Sequence, residues 1–143
     1  MNTDNKTLLL PRKLANQVLA HAQQNPETEI CGLISAQNNH ARHYYPVPNS
    51  SDDSATHFHM DEQAQIATMK QMREQNEELL AIVHSHPHST AFPSALDQQE
   101  HQYPDAYYLI VSLNTVGVLE LRAFKQIGTH FESVELVLEH PSE

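Results

Sequence analysis

The sequence predicts a single α/β (α+β) domain in which a mixed β-sheet is flanked by helices. Segments with helical spacing of apolar residues alternate with short apolar runs typical of strands, and some of these runs follow one another directly. The chain has 143 residues, enough for one domain that buries roughly 70% of the surface of its unfolded chain. No repeat or linker interrupts the pattern, so residues 1–143 are expected to form one domain.

The first half of the chain is predicted to form a helix and then a β-hairpin. Apolar side chains recur at helical spacing over residues 11–25, where Pro11 suits a first helical turn and Asn25-Pro26 ends the pattern. Residues 29–36 are a short apolar run, and residues 40–47 follow a turn signal, as in a hairpin.

The second half is predicted to hold a fully buried strand. Residues 56–60 are expected to form a short strand before a helix that opens at Asp61. Residues 79–83 are a continuous apolar run, typical of a strand buried on both faces, and this run delivers His84 at its end. The remaining predicted elements are a short helix from near Ser94 and strands over 106–113, 117–125 and 130–138.

The composition excludes several classes of function. Lys and Arg number 8 against 18 Asp and Glu, which gives a formal net charge of −10. Nucleic acids and anionic membranes both attract a net basic face, so neither is expected as a partner. The apolar run 79–83 is far shorter than the ~20 residues of a membrane helix. The polar N-terminus lacks signal-peptide order, and one cysteine, Cys31, permits no intrachain disulfide, so a reducing cytoplasm is predicted.

Residues 84–97, HSHPHSTAFPSALD, carry the strongest functional signal. His84 and His86 are two apart, so on an extended backbone both imidazoles point to one face and can bind one cation. The loop that follows is long enough to bring Asp97 to the same ion. Two imidazoles, one carboxylate and an open fourth position are the ligand set of a catalytic zinc site. Ser94-x-x-Asp97 is also a helix capping box, and the two interpretations are compatible.

Water activated at such a site needs a base, and the candidates are Glu27 and Glu29 beside the predicted strand 29–36. Cys31 suggests a thiol hydrolase, but a small apolar residue in a buried strand is the better interpretation.

Three further histidines have weaker signals. His57 and His59 form a second same-face pair, with Asp61 beyond, and are best explained by an exposed strand face. His88 follows the zinc motif and is best explained as a solvated loop residue, with a contact to substrate as the alternative.

The chain resembles the JAMM (MPN+) metalloproteases, in particular their small bacterial members. The resemblance rests on Glu29-Ile30-Cys31-Gly32-Leu33, on His84-Ser85-His86-Pro87, and on Ser94 and Asp97 at the family's spacing. It implies a mixed sheet between helices, related to the cytidine deaminase architecture. It also implies that His84, His86 and Asp97 bind zinc, that Glu29 deprotonates the water at the fourth position, and that Ser94 hydrogen-bonds the oxyanion.

The resemblance also implies a substrate class. Small bacterial members resemble peptidases that process the C-terminal tail of ubiquitin-like sulfur-carrier proteins, and the chain has no space for the insertions that grip ubiquitin chains. An isopeptidase of a conjugation system and a non-catalytic binding module for ubiquitin-like proteins are the alternatives. A zinc deaminase needs H-x-E and P-C-x-x-C, which one cysteine does not allow. A homodimer is left open by the sequence.

Overall fold

A computed structural model describes residues 7–94, 103, 105–114 and 119–139, and these residues contain two helices and seven strands. The strands form one mixed sheet in the order β1-β7-β6-β5-β4-β2-β3, with β1–β7 and β4–β5 parallel and the other neighbours antiparallel. The predicted fold class is therefore confirmed. The elements in chain order are β1 (Thr7–Pro11), α1 (Arg12–Gln24), β2 (Cys31–Gln37), β3 (His40–Val47), α2 (Glu62–Glu74), β4 (Glu78–His86), β5 (Tyr107–Ser112), β6 (Glu120–Ile127) and β7 (His130–Glu139).

The sheet has an apolar core on each face. Successive residues of β4 point to opposite faces, so Ala81 and Val83 join the core covered by α1, whereas Ile82 joins the core that contains Met72 of α2. This burial on both faces confirms the interpretation of residues 79–83. It also fixes the face of His84, which shares the parity of Ile82.

The second helix begins where the sequence predicts. Asp61 is its N-cap, and its carboxylate accepts a hydrogen bond of 3.0 Å from the backbone N–H of Ala64. Within the part of the chain that the structure describes, neither helix is long and apolar enough to cross a membrane.

Gly32 lets β2 and β3 approach closely. A Cβ at this position would lie 2.5 Å from Cε1 of Tyr44 and 2.7 Å from the carbonyl oxygen of Tyr45. The need for glycine is therefore steric, and any side chain would push the two strands apart.

The structure differs from the sequence analysis in three places. Residues 56–60 are not a strand: they contribute a single bridge, between Met60 and Asn49, because side-chain hydrogen bonds fix this loop instead. Residues 7–11 form a strand that the sequence analysis did not anticipate, because its partner β7 lies at the other end of the chain. The strand predicted over 79–83 continues to His86. Two hydrogen bonds connect its end to Ile30: the backbone N–H of Ser85 donates to the carbonyl oxygen of Ile30, and the N–H of Ile30 donates to the hydroxyl of Ser85.

The helix predicted to start near Ser94 falls mostly on residues outside the described part of the chain.

Candidate metal centre

Glu29, His84 and His86 come together at the end of β4 where the predicted zinc motif begins. One ligand atom from each lies within 4.8 Å of the other two. All three residues are buried, with exposed fractions of 5%, 1% and 3%. Such a group of acceptor atoms, held in a shielded place, is what a metal ion requires.

The two imidazoles have a spacing that suits one tetrahedral ion. Their Nε2 atoms are 3.2 Å apart. Two nitrogens bound to zinc at about 2.05 Å, with a tetrahedral angle between them, would be separated by roughly 3.3 Å. Nδ1 of His86 lies 2.7 Å from the backbone carbonyl oxygen of Thr90, which can only accept, so the proton is on Nδ1. The lone pair is then on Nε2, which is the tautomer that a metal ligand needs.

The end of β4 is held rigidly from both sides. His84 lies opposite Cys31 of β2 and opposite Ile110 of β5. The backbone carbonyl oxygen of His86 accepts a hydrogen bond of 3.1 Å from Leu113. Since both histidines belong to a strand flanked by neighbours, their side chains share one face with little freedom.

Phe58 is a contact of this centre that the sequence analysis missed. Its ring stacks on the imidazole of His84 with a centroid distance of 4.5 Å and an interplanar angle of 20°. His57 and His59, which flank Phe58 and form the second histidine pair of the sequence, do not belong to the candidate metal-binding group among the described residues. An apolar residue in a polar loop carries no spacing that would connect position 58 with position 84.

The structure brings only one of the two candidate bases to the histidines. The carboxylate of Glu27 is exposed and lies 3.7 Å from Nε2 of His88, which is exposed as well. Glu29 is buried beside His84 and His86.

Cys31 does not have the properties of a nucleophile. Its Sγ donates a hydrogen bond of 3.3 Å to the carbonyl oxygen of Val47. Burial, and then the negative charge of Glu29, raise the pKa of the thiol to about 12. The thiol therefore stays protonated at neutral pH, whereas reactive cysteines have a lowered pKa.

The remaining two predicted site residues follow β4. Ser94 is exposed in the loop after the strand. Asp97, the third predicted zinc ligand, lies outside the described residues.

Comparison with known families identifies the chain. The family described as prokaryotic homologs of the JAB domain matches residues 11–125. The chain belongs to this family. The resemblance seen in the sequence motif is thus confirmed over most of the chain.

Two relatives of the JAB chain are named as peptidases. The present chain is 29% identical over 119 residues to the CysO-cysteine peptidase of Mycobacterium tuberculosis, and the match covers 82% of each chain. It is 32% identical over 117 residues to the probable TtuB-protein conjugate cleaving protease of Thermus thermophilus, covering 82% of this chain and 74% of the relative.

Solved structures agree with the fold. A protein of Desulfitobacterium hafniense, known from its solution structure, has a TM-score of 0.82 and 32% identity, with 94% of each chain covered. A JAB1/MPN domain protein from Archaeoglobus fulgidus has a TM-score of 0.61 at 17% identity, with 91% of this chain and 99% of that chain covered, and supports the fold alone.

Proposed function

We propose that this JAB-family protein is a zinc metallopeptidase, one domain over residues 1–143, that acts in the cytoplasm. Its substrate is a small ubiquitin-like sulfur-carrier protein, and the bond it hydrolyses is a peptide or isopeptide bond at the carrier's C-terminal tail. The observation that carries the proposal is the convergence of Glu29 with the Nε2 atoms of His84 and His86.

The chain supplies a complete set of groups for this reaction. His84, His86 and Asp97 would hold the ion, and two neutral imidazoles with one carboxylate suit zinc. When bound, zinc acts as a Lewis acid that makes water nucleophilic near neutral pH. The Glu29 carboxylate accepts the proton of the attacking water and passes it to the departing amine. The Ser94 hydroxyl donates a hydrogen bond to the oxyanion of the scissile carbonyl.

The substrate class is supported by the names of the relatives. One relative is named a CysO-cysteine peptidase, and another a probable TtuB-protein conjugate cleaving protease. An extended tail can enter a narrow cleft and pair as an added strand, and a glycine-rich tail offers no side chains that would prevent this.

A second candidate, an isopeptidase of a conjugation system, is favoured by the name of the Thermus thermophilus relative. The chemistry would be the same, but the leaving group would be a lysine side chain of a target protein. A substrate that joins the carrier to lysine distinguishes this activity from tail processing.

The proposal is tested with zinc analysis and two carrier substrates. One substrate has residues beyond the terminal Gly-Gly, and the other joins Gly-Gly to a lysine side chain. We expect about one zinc per chain and cleavage by the wild type. Glu29→Gln should keep its zinc and lose about 10²- to 10⁴-fold in kcat, the usual contribution of a general base.

Glu27→Gln is the matched control, because Glu27 is the neighbouring acid with an exposed side chain. It should leave kcat unchanged. Zinc binding without cleavage of either substrate, while the carrier still binds, would show a binding module instead of a peptidase.

A further inference from the structure

We propose that Asn49 is a positioning residue of the metal centre. Its side-chain amide connects the backbone of Glu29 to the segment 57–59, and this segment carries the ring that stacks on His84. Asn49 thereby sets the base and one metal ligand relative to each other. The inference rests on the proposed function, because it assigns Asn49 to the same site.

The side chain of Asn49 uses its full hydrogen-bonding capacity. Its Nδ2 donates to the carbonyl oxygens of Glu29 and His57, at 2.9 Å each. Its Oδ1 accepts from the backbone N–H groups of Ser51 and His59, at 2.9 Å and 3.0 Å. A carboxamide offers two donor hydrogens and two lone pairs, so all four are engaged. The orientation of the amide is fixed by these partners, since a flipped amide would direct its NH₂ group at two N–H donors.

One side of this network holds Glu29. The carbonyl oxygen of Glu29 accepts the hydrogen bond from Asn49. The backbone N–H of Glu29 donates a second hydrogen bond, of 2.6 Å, to the carbonyl oxygen of Ser54. Both contacts come from the loop between β3 and α2. Glu29 precedes β2 and has no place in the ladder of that strand, so this loop fixes its backbone.

The other side of the network holds Phe58. The two groups that bond to Asn49, the carbonyl oxygen of His57 and the N–H of His59, lie on either side of Phe58 in the chain. The ring of Phe58 is in turn 4.5 Å from that of His84, centroid to centroid. A shift of this segment would therefore move the face on which a metal-ligating imidazole rests.

These four hydrogen bonds require asparagine, and neither of the chemically similar residues, aspartate and glutamine, could make them. Aspartate has the same shape but no donor, and its negative charge would face two carbonyl oxygens. Glutamine has the same groups on a chain longer by one methylene, so its amide would not reach the same four partners.

The test uses Asn49→Asp at a temperature well below its unfolding midpoint. We expect kcat to fall about 10- to 100-fold with KM within about threefold, and the zinc Kd to rise about tenfold, as for other groups that orient metal ligands. In metal-free protein, we expect the ring-current shifts of the His84 imidazole protons, which Phe58 causes, to diminish. A role limited to stability would lower the unfolding temperature and move none of these quantities.

Ser50→Ala is the matched control. The hydroxyl of Ser50 lies in the same loop and donates a hydrogen bond of 3.1 Å to the carbonyl oxygen of His59. This bond involves neither Glu29 nor His57. Its kcat, zinc Kd and His84 shifts should stay within about twofold of wild type, because an exposed hydrogen bond contributes little.

A folded Asn49→Asp with wild-type kcat, zinc Kd and His84 shifts would overturn the inference. Should Asn49→Asp not fold, Phe58→Leu tests the same link with the loop intact, and unchanged zinc affinity in Phe58→Leu would overturn it. Absence of cleavage by the wild type would count against the proposed function alone, because zinc affinity and the His84 shifts are measured without substrate.

Discussion

A buried glutamate lies close to a histidine at each end of β4, and the two sites differ in the groups that surround the carboxylate. At the C-terminal end, Glu29 lies beside His84 and His86. At the N-terminal end, Glu77 immediately precedes the strand and contacts His43. Both carboxylates are largely shielded from solvent, at 5% and 7% exposure.

The N-terminal cluster, formed by Glu77, His43 and Tyr45, is a closed hydrogen-bond network. The Tyr45 hydroxyl donates to one oxygen of Glu77 at 2.9 Å, and Nδ1 of His43 lies 2.7 Å from the other. Burial alone would raise the pKa of Glu77, but hydrogen bonds from Tyr45, Ser35 and His43 outweigh it and hold the pKa below its ordinary value.

The metal centre is arranged in the opposite way. Donors surround the carboxylate of Glu77, whereas in the metal centre two imidazole nitrogens converge at 3.2 Å, and the second nitrogen of His86 bonds to the backbone. Residue types are therefore a poor guide to a metal site. The direction of lone pairs and protons separates a ligand set from a structural network.

The largest expected difference between the two ends concerns metal binding. His86→Ala removes one of the proposed ligands, so the zinc Kd should rise at least about 100-fold and kcat should fall below detection. The fold should survive, because both apolar cores are independent of the metal. Elemental analysis after dialysis, circular dichroism and a cleavage assay measure these three outcomes.

His43→Ala is the control at the other end of β4. It should bind zinc and turn over substrate as wild type does, with a loss of about 1 kcal/mol in the free energy of unfolding, since the His43 side chain is half exposed and its ion pair is screened. Global unfolding of His86→Ala would show instead that the metal is structural.

The next effect in size is the stability that Glu77 provides. Glu77→Gln should lower the free energy of unfolding by about 1.5 to 3 kcal/mol at pH 7, the usual range for hydrogen bonds to a charged group. Because the folded-state pKa lies below the ordinary value of 4.5, the charged form stabilises the fold above pH 4.5. That contribution is lost as the pH falls through the folded-state pKa.

Urea unfolding of the wild type and Glu77→Gln at several pH values measures this difference. The difference in free energy of unfolding between the two proteins should narrow as the pH falls below about 4.5. A gap that does not narrow below pH 4.5 would mean that the charged form of Glu77 is not what stabilises the fold. Cleavage activity should stay within about twofold of wild type at every pH, since Glu77 lies about nine residue rises, roughly 30 Å, from His86 along the direction of β4.

The sequence was sufficient for the parts of the site that local periodicity determines. His84 and His86 are two apart on a strand, and this spacing alone predicts that they share a face. The buried strand 79–83 and the helix that opens at Asp61 also follow from local signals, an apolar run and a capping side chain. Glu27 and Glu29 were both candidate bases, and the family resemblance was needed to select Glu29, because 55 positions separate it from His84 and local periodicity does not report on such a contact.

The parts that escaped prediction depend on contacts between distant segments. β1 is a short strand that becomes stable by pairing with β7 near the other end of the chain. Phe58 and Asn49 lie in a loop whose backbone is held by side-chain hydrogen bonds, and no periodicity reports on such a network. Turn-forming composition predicts that a loop exists there, but it does not say which residues its side chains contact.

The smallest expected effect comes from one hydrogen bond of the N-terminal cluster. Tyr45→Phe removes the donor to Oε1 of Glu77, and it should lower the free energy of unfolding by about 1 kcal/mol because water can reach this half-buried position. In Glu77→Gln the same change should have less effect, since the charge that strengthens the bond is gone. A double-mutant cycle in urea isolates this coupling. If Tyr45→Phe lowers the free energy of unfolding equally in both backgrounds, Tyr45 contributes by packing. The N-terminal cluster would then not be a network centred on the charge of Glu77, and the contrast with the metal centre would fail.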